Sequence, residues 1–96
     1  MVYNLSVDIA LEEISRIEEL IRPYQYQAYE VEEALKILSD LRESLNRMDK
    51  EKIADVLKKL SDIESRAAPY RSFGIVGRTL QHVKKLKEEL EKILED

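Results

Sequence analysis

Cysteine and tryptophan are absent from this 96-residue chain, glycine and proline occur twice each, and phenylalanine and histidine once each. Without cysteine there are no disulfides, thiolate zinc sites, iron–sulfur ligands or cysteine nucleophiles, and nothing points to an oxidising compartment. The lone His82 cannot supply a histidine-rich metal site. No apolar run approaches the roughly 18–20 residues that cross a bilayer, and no basic stretch leads into an apolar segment with a small-residue cleavage site. The expectation is a cytoplasmic chain with no membrane span.

Charge is what the chain has in abundance. Charged residues make up 38% of it, and glutamate, lysine and arginine dominate while asparagine and glutamine are scarce. That balance resembles proteins from heat-loving organisms. The net charge of −4 argues against a dedicated nucleic-acid coat, which relies on summed positive charge, but leaves room for a local basic patch.

Four stretches carry helical periodicity, and one domain of this length buries enough surface for an independent core. Val7 to Ile21 places Val7, Ala10, Leu11, Ile14, Ile17, Leu20 and Ile21 at three- and four-residue steps, with Asn4 or Ser6 available as the N-cap. Pro23 ends or kinks this helix and fits the first position of the next, read as Tyr24 to Arg47. Asn46 to Asp49 is a turn, with Asp49 capping a third helix from Lys50 to Arg66. Ala67-Ala68-Pro69 closes that helix. The fourth runs from Phe73 to Leu94, begun by Pro69 or capped by Ser72, with a stripe of Phe73, Val76, Leu80, Val83, Leu86, Leu90, Ile93 and Leu94. Gly77 within it implies that another backbone comes close.

Short connections between four periodic segments predict an all-α, up-down-up-down antiparallel four-helix bundle forming one domain over residues 1–96. The alternative is a long two-helix hairpin, kinked at Pro23 and Pro69, that completes a bundle by dimerising. A dimer is expected in either case, because Ile75, Leu86 and Ile93 widen the apolar arc of the fourth helix and its C-terminal half outruns the first.

The distinctive chemistry gathers around the two prolines. In an up-down bundle Pro23 and Pro69 turn at the same end, which brings together Tyr24, Tyr26, Tyr29 and Tyr70 with Arg22, Arg66, Arg71 and Arg78. Tyrosine and arginine are the residue types enriched at binding hot spots, and they also serve as half-wet plugs at bundle ends. The candidate binding residues are Arg22, Tyr26, Tyr29, Arg66, Tyr70, Arg71, Arg78 and His82, with Tyr29 and Arg71 placed furthest from the core stripes. On a helical wheel Arg71, Arg78, His82 and Lys85 form one side of the fourth helix, either a solvated back or a stripe for a partner or phosphate.

No catalytic, metal or nucleotide motif is complete. Thr79 stands where a ferritin-like Glu-x-x-His pair would need glutamate, and the pairs Glu12/Glu13, Glu18/Glu19 and Glu32/Glu33 read as solvated faces. Neither glycine belongs to a phosphate loop or nucleophile elbow. Arg78-Thr79-Leu80-Gln81-His82 resembles the arginine-to-histidine signature of the HEPN family of helical-bundle ribonucleases, which would imply RNA cleavage through these two residues. The gap here is three residues rather than four to six, and the chain is short for that family. The leading functional expectation is a non-enzymatic helical interaction or scaffold protein without a cofactor. The alternative is a module for RNA or a phosphate-bearing ligand.

Overall fold

A computed structural model describes residues 4–95; the first three residues of the lead-in and Asp96 lie outside the described residues. Four helices appear: α1 (Leu5–Ile21), α2 (Tyr29–Arg47), α3 (Lys50–Ala67) and α4 (Gly74–Glu95). Short 3₁₀ helices, Arg22–Tyr24 and Ala68–Tyr70, follow α1 and α3, each holding a proline in its first turn. The molecule measures 42 × 21 × 20 Å. Each helix packs against its sequence neighbours, and α1 also packs against α4. The cross-section is therefore a square with α1 opposite α3 and α2 opposite α4. The four helices form a compact bundle, not a kinked hairpin.

The helix starts follow from their caps. Asn4 accepts hydrogen bonds from the backbone N–H groups of Ser6 and Val7 at 3.0 and 3.3 Å, and Asp49 accepts one from Lys52 at 3.2 Å. Helix α2 ends differently. Met48 adopts the left-handed conformation, φ 52° and ψ 41°, and the Asp49 N–H returns to the Ser44 carbonyl.

Helix α1 begins two residues earlier than Val7, and larger differences from the sequence reading lie at the two proline turns. The stretch from Tyr24 to Ala28 is not the start of α2: it leaves the 3₁₀ turn, and the helix begins only after an extended Ala28. Proline's fixed φ suits a 3₁₀ first turn as well as an α-helical one, so Pro23 began the wrong element in that reading. Pro69 likewise opens a 3₁₀ helix, and the first carbonyl to accept within α4 is that of Phe73, from Gly77 N–H.

The core is aliphatic. Ala10, Ile14 and Ile17 of α1, Leu38, Leu41 and Leu45 of α2, Ile53, Val56 and Leu60 of α3, and Leu86, Leu90 and Ile93 of α4 are almost wholly removed from water. Leu86 and Ile93, expected to widen an uncovered arc of α4, are buried within the chain itself, and Ile75 at the other end of the helix is only half-buried.

Every seam of the square carries a charged contact. Arg42 of α2 grips both carboxylate oxygens of Glu18 on α1, Arg66 of α3 reaches Glu33 of α2 at 3.0 Å, and Lys87 of α4 reaches Glu64 of α3 at 2.6 Å. On the α1–α4 seam, His82 Nδ1 lies 2.5 Å from Glu13 Oε2, and Lys85 Nζ lies 3.6 Å from Oε1 of the same carboxylate. Partly exposed pairs contribute about 0–1 kcal/mol each, so their larger consequence is to favour this set of neighbours over rearranged ones.

Candidate functional site

The end of the bundle at which both proline turns lie is not sealed. An apolar cleft of about 330 Å³ enters it between all four helices. Its deeper wall is Ile17, Leu38, Leu60 and Val83, residues of the core. Nearer the opening the wall becomes small or half-buried: Ala28, Val31 and Ala34 from the α2 side, Ile63 and Ala67 from α3, and Ile75, Val76 and Leu80 from α4. Only Thr79, Glu30 and, at the rim, Tyr24 bring polar side chains to it, and the Thr79 hydroxyl is already spent on the Ile75 carbonyl at 2.7 Å. The lining can therefore hold apolar groups but offers almost nothing to orient a polar one.

The rings that could have filled this space stand outside it. Tyr70 and Phe73 are 57% and 62% exposed and stack on each other with centroids 6.5 Å apart, and Tyr26 is 94% exposed. Tyr24 forms part of the rim. The sequence put Phe73 in the core stripe of the fourth helix and Tyr24 at the start of the second, and the structure corrects both. Phe73 precedes α4, so its position is not set by the helical repeat, and Tyr24 belongs to the 3₁₀ turn rather than to α2.

Gly77 shapes the rim. A methyl group at its Cα would come within 2.8 Å of the Arg71 carbonyl oxygen, so the turn after Ala68–Tyr70 lies directly on the first turns of α4. This is the close backbone approach that the glycine implied. Gly74 has no such neighbour.

The candidate residues do not form one constellation. Arg22, Tyr26, Tyr70, Arg71 and Arg78 are exposed around the proline-turn end. Tyr29 is exposed too, but turns toward a shallow hollow between α2 and α3 lined by Glu32, Lys36, Lys58 and Asp62. Arg66 lies beside a hollow adjoining the cleft, where Glu33 and Asp62 hold it at 3.0 and 3.1 Å. The hydrogen bond to Glu33, and then the charge of Asp62, raise the pKa of its guanidinium further, so it stays protonated and already neutralised. Arg71 bends back to its own turn, Nε donating to the Ala68 carbonyl at 3.1 Å. Arg22 lies 4.0 Å from Glu18, so three of these four arginines already have contacts within their own chain.

His82 sits away from this end, half-buried on the α1–α4 seam against Glu13. Glu13 was read as part of a solvated face, yet it is only 3% exposed. The sequence gives a faint signal for this, since residues 10, 13, 14 and 17 make one helical face, with the glutamate among apolar residues. Among the described residues no group of three or more His, Cys, Asp or Glu is placed to hold a metal ion. No helix of the described chain is long and apolar enough to cross a membrane.

Comparison with known proteins leaves this geometry to stand alone: no protein family, curated protein or solved structure matches the chain at a significant level.

Proposed function

We propose that this chain is a non-enzymatic helical interaction protein whose working surface is the proline-turn end of the bundle. The observation that supports the reading is the conjunction of an apolar cleft with aromatic rings standing free around it. Exposed apolar area gathered in one place on a small soluble bundle is the usual mark of a contact surface, and tyrosine and arginine around it supply rigid and forked contacts at the rim. Arginines already engaged within their own chain favour a protein partner over RNA or a phosphate-bearing ligand.

The experiment is recovery of a stoichiometric protein from the native cell with the wild-type chain, compared with Tyr70→Ala and with Arg47→Ala at the opposite end. The reading expects Tyr70→Ala to lose the protein and Arg47→Ala to keep it, with melting temperatures alike. A partner retained equally by all three chains would move the working surface elsewhere.

A further inference from the structure

We infer that the partner at this end is a second copy of the chain: two bundles meet end to end about a two-fold axis, the Tyr70–Phe73 pair of each closing the apolar cleft of the other. The inference rests on the reading above and names its partner.

A two-fold contact requires a surface complementary to itself, because residue i meets j and j meets i. The proline-turn end carries both halves of such a fit. Tyr70 and Phe73 project as a stacked pair, and beside them the cleft and the adjoining hollow share a wall formed by Ile63, Ala67 and Val76. One contact therefore covers two ring pairs and two clefts.

Charge selects the orientation. From Arg66 to Arg78 the chain has three arginines and no acid, whereas residues 29–33, opening α2, hold three glutamates and no base. Among the described residues neither Arg78 nor Glu30 has an ion-pair contact within 4.0 Å in the chain, although the Glu30 charge acts on Arg66 from further away. Helices α2 and α4 start at this end on opposite corners of the square. An axis along the α1–α3 diagonal lays the acidic start of one α2 over the basic start of the other α4. The same rotation carries the rings, which lie between α3 and α4, to the space between α3 and α2, where Glu30 and Ala67 border the opening.

Size limits the strength. An end face of 21 × 20 Å falls short of the roughly 1,200–2,000 Å² buried in a standard interface, so the pairing is a weak one, formed at high concentration.

Sedimentation equilibrium and small-angle scattering from about 10 μM to about 1 mM test the proposal. The mass is expected to rise toward two chains, and the longest dimension toward about twice the 42 Å of one bundle. Phe73→Asp should weaken the association at least about tenfold with an unchanged melt, since this ring lies outside the core. Glu30→Arg and Arg78→Glu should each weaken it, and the double exchange should restore it. A chain that stays monomeric throughout overturns the inference, as does a dimer whose long dimension remains near 42 Å, or one indifferent to Phe73→Asp. A monomer that still retains a different protein through Tyr70 would leave the interaction reading standing while removing this one.

Discussion

Glu13 and His82 meet across the α1–α4 seam with Oε2 and Nδ1 2.5 Å apart, and only 5% of the glutamate side chain reaches water against 32% of the histidine. The two partners are therefore not equivalent. Removing the histidine leaves a buried carboxylate with only Lys85, 3.6 Å away, to compensate it. Replacing the glutamate by an apolar side chain of similar length leaves a half-wet imidazole that water can serve. His82→Ala is expected to cost about 1–3 kcal/mol and Glu13→Met less, and the double variant is expected to cost less than the sum. Urea titrations of the four proteins measure this. Strict additivity would mean that the contact contributes nothing.

Met48 holds the left-handed conformation without being glycine, and its side chain is 44% exposed. The cost is backbone strain rather than packing, so the remedy is local. Met48→Gly is expected to stabilise the fold by up to about 1 kcal/mol, which for a domain of this size raises the melting temperature by roughly 4–8 °C. Calorimetry decides the point, and an unchanged or lower melt would show that the methionine stem covers more of the core than its exposure suggests.

The two glycines of α4 should respond with opposite signs. At Gly77 a new Cβ meets the Arg71 carbonyl at 2.8 Å, and backbone must shift to admit it, whereas Gly74 has nothing within 4 Å. Gly77→Ala is expected to destabilise by about 1–3 kcal/mol, and Gly74→Ala to be neutral or stabilising by up to about 1 kcal/mol. Chemical denaturation of both variants reads the difference. Equal effects would place the Arg71 turn further from α4 than described.

These responses mark where the sequence could be read and where it could not. The helical stripes of Ile14 and Ile17 or of Leu86 and Leu90 repeat over several turns, so the four helices, the caps at Asn4 and Asp49 and the role of Gly77 were open to inspection. Phe73 deceived because a three-four spacing continues past the residue where the helix begins, and periodicity carries no mark of that boundary. Glu13 deceived for a different reason: its partner His82 is 69 positions away, and its place on the face of residues 10, 13, 14 and 17 is only a faint local mark against the exposed Glu12 beside it. The cleft was equally hidden. Its existence follows from alanines at 28, 34 and 67 meeting in space while Tyr70 and Phe73 remain outside and Tyr24 reaches only the rim.

Glu89 offers a test of polar satisfaction at the other end of the bundle. It is 6% exposed, and while Oε1 lies 3.3 Å from Lys92 Nζ, Oε2 has no hydrogen-bond partner among the described residues. An orphaned buried acceptor costs about 1–3 kcal/mol, and the exposed lysine returns at most about 1 kcal/mol. Glu89→Met is expected to leave the fold as stable or more stable by urea titration. A clear loss of stability would show that the second oxygen is served after all.

Ala67 is where stability and binding should part company. It lies half-buried at the mouth of the cleft and borders the adjoining hollow, with empty apolar space in front of its methyl group. A leucine there would extend into that space and bury the branches that alanine lacks, and filling a cavity in this way commonly adds about 0.5–2 kcal/mol. The same side chain would occupy the volume into which a partner's rings must insert. Ala67→Leu is therefore expected to raise the melting temperature by several degrees while lowering self-association by about tenfold or more, measured by calorimetry and sedimentation on the same samples. A packing change with no bearing on the contact surface would move only the melt. If association survives in a stabilised Ala67→Leu chain, the cleft is an unfilled end of the core and the contact lies on another face.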